Sequence, residues 1–263
     1  MRIRARGIVP GRASGTAIAS AAPFSFVGGV DPANGTILDA TTGFAGERLE
    51  GRVFAFPTGK GSTVGSYVLY GLAKRAHGPA AILNRRADAV VAVGATLAGI
   101  PMLDRVDVGG LLTGDRIVVD ADRGSLELPD VKAKRVVTVI LRNRGRILIV
   151  RRSEKVGTFQ GRWSAISGHI EGREDPQHRA IVEVREETGL RGIVFRSAGK
   201  PVLARDGATM YIVHPFLFDA PSRAVRLDWE NVEHRWIRPE ELHRFETVPR
   251  LPDVVAAVLG PPV

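Results

Sequence analysis

The sequence of 263 residues has no cysteine, only 6% aromatic residues, and no apolar run approaching the roughly 20 residues that a membrane-spanning helix needs. The missing cysteine excludes a disulfide framework, a cysteine nucleophile, a thiolate zinc site and any iron-sulfur cluster ligated by this chain. Six histidines form neither an HExxH motif nor a close metal-binding set, which argues against zinc. Few aromatics, no zinc-finger spacing and no run of five or more basic residues place nucleic acid low among the expected partners. The opening MRIRARGIVPGRASG lacks the apolar core of a signal peptide, so the expectation is a cytoplasmic protein with no membrane partner.

What is present suffices for an ordinary core or two small ones, with 44% hydrophobic and 25% charged residues. The net charge of +9 is uneven. Residues 1–130 hold 14 Lys and Arg against 12 Asp and Glu, whereas residues 131–263 hold 23 against 16. Of the 37 basic residues 31 are Arg, whose planar fork suits phosphate and carboxylate ligands. The character of the sequence changes near residues 129–134, which sets two domains, 1–130 and 131–263. In the first, short apolar runs (GTAIAS, RVFAF, AAILN, AVVAVGA, DRIVVD, GSLEL) read as a β-rich α/β domain with one clear helix over 62–78. That helix spaces Val64, Val68, Leu69 and Leu72 on one side, and Tyr67 and Tyr70 read as core. In the second, RVVTVILR and RILIVRR read as a hairpin around NRGR. A helix over 176–189, strands near 192–203 and 209–218, a strand EHRWI and two short helices opened by Pro239 and Pro252 follow.

The helix over 176–189 puts Glu183, Glu186 and Glu187 at i, i+3 and i+4, so three carboxylates share one face. Two readings of this face are open. A hard divalent cation, Mg²⁺, would relieve the repulsion and bridge to substrate phosphates; or the face is solvated, with Arg179 and Arg185 as partners. In the first half, PTGKGST carries a strand into a helix. Gly59, Gly61 and Gly65 let backbone N–H groups approach a phosphate or carboxylate at the helix start. It is not an NTPase phosphate loop, since Gly61 follows Gly59-Lys60 and Phe54 stands where the leading glycine belongs. A plainer reading makes Ser62 an N-cap and the glycines a turn.

Residues 168–190, GHIEGREDPQHRAIVEVREETGL, resemble the Nudix box: Gly168, Glu174, Glu183, Val184, Glu186, Glu187, Gly189 and Leu190 stand in register, and Val182 stands where the family has Arg. Arg179, one turn earlier, is the candidate replacement. The resemblance extends over residues 133–263, with Trp163 before the box and LDWENVEHRWIRPEEL after it. It implies a Nudix α/β/α sandwich and hydrolysis of a diphosphate, with Mg²⁺ on Glu183, Glu186 and Glu187. One of these, or Glu230 or Glu233, orients the attacking water. Glu186 and Glu187 are the catalytic candidates, and Arg151 and Arg152, at a strand end, are candidate phosphate contacts. The isopentenyl diphosphate isomerases of the same fold use a catalytic cysteine, which this chain lacks.

Residues 1 to about 128, through GRASGTAIAS, PFSFVGGVDPANGTILD, GRVFAFPTGKGSTVGS, GPAAILNRRADAVVAVGATLAGIPML and GDRIVVDADRG, resemble the small subunit of the aconitase X family, whose archaeal members are phosphomevalonate dehydratases. The resemblance implies a swivelling β/β/α domain, substrate contacts at Gly59 and Gly61, and Ser62 as the base. The iron-sulfur cluster would sit on a cysteine-bearing large subunit as partner. Where the family tends to carry His-Pro-Leu before a glycine, this chain has Thr42–Gly46. Together the two resemblances imply an α/β protein. A small-subunit-like domain for dehydrating mevalonate 5-phosphate is fused to a Mg²⁺-dependent hydrolase of phosphorylated small molecules. In the alternative, the Nudix half senses a diphosphate without cleaving it, or cleaves nucleotide diphosphate derivatives unrelated to that pathway.

Overall fold

A computed structural model describes residues 1–260. The chain divides into two units, Met1–Lys132 and Ala133 onward. In the first, the apolar runs VFAF and AILN are buried at every position, as strands covered on both faces must be. The elements are β1 (Arg2–Arg4), β2 (Arg6–Val9), β3 (Arg12–Ala19), a kinked turn α1 (Phe26–Gly29), β4 (Val53–Phe56), α2 (Gly65–Lys74), β5 (Ala81–Asn84), α3 (Ala89–Ala98), β6 (Met102–Asp104), β7 (Arg116–Asp120) and β8 (Ser125–Glu127). They form one eight-stranded sheet in the order β1-β8-β7-β3-β4-β5-β6-β2. β3 joins its two parts: its first half pairs antiparallel with β7, its last residues parallel with β4. From β4 to β6 the chain alternates strand and helix, so the loops after β4 and β5 lie at the carboxyl ends of parallel strands, where open α/β sheets bind ligands.

Two sequence expectations change here. The run AVVAVGA is helix α3, not a strand. Asp88 caps it by accepting from the Val90 and Val91 N–H groups at 3.0 and 3.2 Å, and Gly99 ends it in the left-handed region. A short apolar run without clear periodicity does not separate the two states, and the caps decided. The other helix begins at Gly65 rather than at Ser62 and ends at Lys74. Its Leu69 and Leu72 are buried, but Val64 is exposed and Tyr67, expected in the core, is 71% exposed.

The second unit has β9 (Lys132–Asn143), β10 (Arg146–Arg152), β11 (Trp163–Ser164), β12 (Ile166–His169), α4 (Pro176–Thr188), β13 (Val194–Ala198), β14 (Val202–Asp206), β15 (Thr209–Asp219), β16 (Asn231–Ile237), a 3-10 turn over Pro239–Arg244, and α5 (Leu251–Leu259). The expected hairpin closes at Asn143 and Arg146, after which β9 pairs with β12, and β10 with β11 and β16. Alternation along β9 makes the layers: Val136 and Ile140 join the core under α5, and Val137, Val139 and Leu141 join the core under α4. A sheet with α4 on one face and α5 on the other is the α/β/α sandwich. Among the described residues no helix is long and apolar enough to cross a membrane.

Candidate active site

In the first unit the loop after β4 is pinned by its own neighbours. The Lys60 N–H donates to the Phe24 carbonyl at 2.9 Å, and the Lys60 ammonium lies 3.5 Å from Asp39. Gly59 has no room for a side chain, because a Cβ there would meet Asp88 and Val91, and Gly61, at φ +107°, faces the Ser25 hydroxyl. Both glycines are therefore required by packing and turn geometry. Ser62 is exposed and its hydroxyl accepts from the Val64 N–H at 3.3 Å, just ahead of α2. The Thr42–Gly46 segment borders this loop through Asp39, which caps the turn Ala40–Thr42 while pairing with Lys60. Val27, Leu38, Val64 and Tyr67 are apolar and exposed.

In the second unit α4 delivers the three glutamates to a cleft of about 560 Å³ against β12 and the start of β16. Asp175 and Pro176 start the helix and Gly189 stops it. Seven carboxylates line the cleft, Glu171, Glu174, Glu183, Glu186, Glu187, Asp228 and Glu230, against Arg179 and His169. Glu183 and Glu187 are buried and Glu186 is exposed. Gly168 on β12 makes room for Glu183, whose carboxylate fills the space a side chain at 168 would occupy. Arg179 donates from Nε to Glu183 Oε1 at 2.6 Å and again from a terminal nitrogen, which also lies 3.5 Å from Glu186. The counter-charge that the box pattern places at 182 is thus supplied from one turn earlier. Glu187 is held at both oxygens: the Ser167 N–H donates to Oε1 at 3.0 Å and the Asn231 amide to Oε2 at 2.8 Å.

Burial pushes the Glu187 carboxyl up to about 8, against the opposing hydrogen bonds from Ser167 and Asn231, with Glu183 and Glu230 adding repulsion. Glu183 and Glu230 are also raised, first by burial. A crowd of carboxylates that resist ionising is a donor set suited to a hard divalent cation, which would restore their charge. Glu186 and Glu187, with Glu183 once it loosens from Arg179, are the residues that fit Mg²⁺. Among the described residues no three are already gathered tightly enough to grip an ion, since Arg179 draws Glu183 and Glu186 to itself.

The remaining candidates separate. Arg151 and Arg152 straddle an irregularity in the pairing of β10 with β16, and their side chains have different partners. Arg151 pairs with Glu233 at 3.5 Å and neither lines the cleft, so this expected phosphate contact and the alternative base Glu233 are not brought to the carboxylates. Arg152 donates to the Thr158 carbonyl at 3.0 Å and lines an adjoining pocket with Tyr211 and Phe159. Of two further contributors, His169 reads in the sequence as an incidental loop residue inside the box, and Asn231 is not picked out there. His169 lines both the cleft and the pocket, its pKa lowered by burial and by Lys134, Arg152 and Arg179. Asn231 anchors Glu187. Its position just after Trp229-Glu230, at a strand start, was the available signal.

Residues 2–128 match the aconitase X swivel domain and residues 132–258 the NUDIX domain. The phosphomevalonate dehydratase small subunit of Pyrococcus furiosus is 49% identical over 128 residues, 49% of this chain and 96% of that protein. The chain belongs to the aconitase X swivel family and continues into a NUDIX domain. The structure of Thermococcus kodakaraensis aconitase X in its holo-form aligns with 49% of this chain and 98% of its own at 47% identity and a TM-score of 0.48. A MutT protein from Methanosarcina mazei aligns with 48% of this chain and 91% of its own at 27% identity and a TM-score of 0.42. In the NUDIX domain, the cleft on α4 is lined by box residues from Gly168 to Glu187 together with Ser167, Asp228, Trp229 and Glu230.

Proposed function

We propose that the chain couples the small-subunit role of a phosphomevalonate dehydratase to a Mg²⁺-dependent diphosphate hydrolase. The observation that carries the hydrolase reading is the carboxylate cleft, in which Glu183, Glu187 and Glu230 are all held above their ordinary pKa around a single arginine. Glu183, Glu186 and Glu187 would hold Mg²⁺, which would supply charge neutralisation and a more acidic water. Asn231 and the Ser167 N–H fix the direction of Glu187, and Arg179 orients Glu183. Glu230, across the cleft and with a raised pKa, accepts the proton of the attacking water.

For the swivel domain the support is the 49% identity to a small subunit that this chain covers almost completely. Ser62 would remove the substrate proton, its alkoxide stabilised by neighbouring N–H groups at the start of α2, while Gly59 and Gly61 keep the loop in place. A partner large subunit must supply the cysteines for an iron-sulfur cluster, because this chain has none. The test has two arms. The purified chain should release phosphate from a diphosphate with Mg²⁺ and lose that activity in Glu187→Gln. It should dehydrate mevalonate 5-phosphate only when co-purified with its large subunit. Diphosphate binding without turnover would instead favour a sensing role, and dehydration by the chain alone would refute the partner requirement.

A further inference from the structure

Beside the carboxylate cleft lies a second pocket of about 140 Å³, which shares Ser167, Gly168, His169 and Glu230 with it. Its lining is largely apolar, with aliphatic side chains from Val136, Ala204, Val213, Leu251 and Val254 and the rings of Phe159 and Tyr211. Several of the pocket's other polar groups are engaged within the protein. The Ser164 and Ser167 hydroxyls both donate to the Ala165 carbonyl, at 3.0 and 3.1 Å, and Thr138 shares a hydrogen bond with Ser167 at 3.0 Å. The Tyr211 hydroxyl is bonded to Thr158, and Arg152 Nε to the Thr158 carbonyl. A nucleobase needs donors and acceptors matched to its edges, and the aliphatic side chains of the lining offer none. Size points the same way: an apolar cavity of about 150 Å³ takes a benzene molecule, and a purine is larger. His169 and Glu230, which line both, stand where the pocket meets the cleft.

We propose that this pocket holds the organic group of the diphosphate, and that the group is a short hydrocarbon of about five or six carbons, matched to a benzene-sized apolar cavity. The inference rests on the hydrolase reading above for the position of the diphosphate. Water adds to one phosphorus and the bridging P–O bond breaks. The bridging oxygen leaves with the other phosphoryl group, and the water proton passes through Glu230 to solvent. The products are an alkyl monophosphate and inorganic phosphate, whichever phosphorus is attacked.

The test uses the full chain with Mg²⁺ and compares methyl, isopentenyl and geranyl diphosphates with CDP and ADP. Burying four more carbons should raise kcat/KM for isopentenyl over methyl diphosphate on the order of a hundredfold. Geranyl diphosphate, twice too long, and both nucleotides should fall below isopentenyl. A nucleotide that matches or exceeds isopentenyl diphosphate, or a flat series from methyl to isopentenyl, overturns the proposal. Ala204→Leu, which fills the pocket, should bring the isopentenyl-to-methyl ratio down toward one, with a melting curve to check folding; an unchanged ratio places the hydrocarbon elsewhere and also overturns it. If no diphosphate is hydrolysed, the hydrolase reading fails by itself. Calorimetric affinities for the same series then decide the pocket: the same order supports it and a flat series refutes it.

Discussion

The carboxylate of Glu183 occupies the volume that a side chain on Gly168 would need, so strand β12 and helix α4 can meet as they do only with glycine at that position. Gly168→Ala should therefore push Glu183 off β12 and part it from Arg179. Thermal melts should show a loss of roughly 1–3 kcal/mol, as for other overpacked sites, together with loss of most of the Mg²⁺-dependent stabilisation. A variant that melts and responds to Mg²⁺ like the parent would show that the helix has another way to seat Glu183.

Arg179 tests whether the box charge has moved by one turn. Arg179→Ala leaves a buried Glu183 without its donor and should cost on the order of 2 kcal/mol. Adding Val182→Arg in that background should recover much of the loss in stability. Recovery by Val182→Arg but not by Val182→Leu distinguishes charge from packing.

The pH dependence follows from Glu187. Its carboxyl is raised to about 8 in the fold from an ordinary value of 4.5, so the folded state holds the proton more tightly than the unfolded one. The stability this confers is complete below pH 4.5 and is lost as pH rises through about 8. Glu183 and Glu230, also raised, act in the same direction. In EDTA the melting temperature should fall across that window, Glu187→Gln should flatten most of the slope, and millimolar Mg²⁺ should oppose it by favouring the ionised carboxylates.

Asn231→Leu removes a donor from the charged form of Glu187 and should move its pKa further up. The acid limb of the pH-rate profile then shifts to higher pH, which a purely structural role for Asn231 would not produce. Asn231→Gln is the control for retained amide chemistry.

Ser62 is exposed and its hydrogen bond to the Val64 N–H is long, so Ser62→Ala should change stability by less than about 1 kcal/mol, the size of an ordinary cap. Dehydration by the assembled enzyme should nonetheless fall by several orders of magnitude. Near-normal turnover would return Ser62 to a capping role.

Much of this was legible in the sequence because it is local. The spacing of Glu183, Glu186 and Glu187 sets one helical face, Asp175-Pro176 and Gly189 bound the helix, and the strand-to-helix passage through PTGKGST is visible as written. What was not legible depends on contacts between distant segments or on caps that outweigh composition. Helix α3 hides in an apolar run whose Asp88 cap is the deciding feature. Tyr67 sits at helical spacing but faces outward, because α3 packs so closely on α2 that Gly94 stands against the Ser66 backbone and that side is already full. Arg151 and Arg152 look alike in sequence, and only the pairing with β16, which sets Arg151 opposite Glu233 and becomes irregular just after it, separates the one on Glu233 from the one at the pocket.

The hydrogen bonds that hold Glu187 come from Ser167 and Asn231, 20 and 44 residues away. Helix α4 has its own caps and can form early, but until β12 and β16 close around it Glu187 is an ordinary solvated glutamate. Its carboxylate is therefore buried only once both distant strands have closed on the helix. At neutral pH that closure takes up a proton, so it should slow as the solution becomes more alkaline, while formation of the helix itself should not.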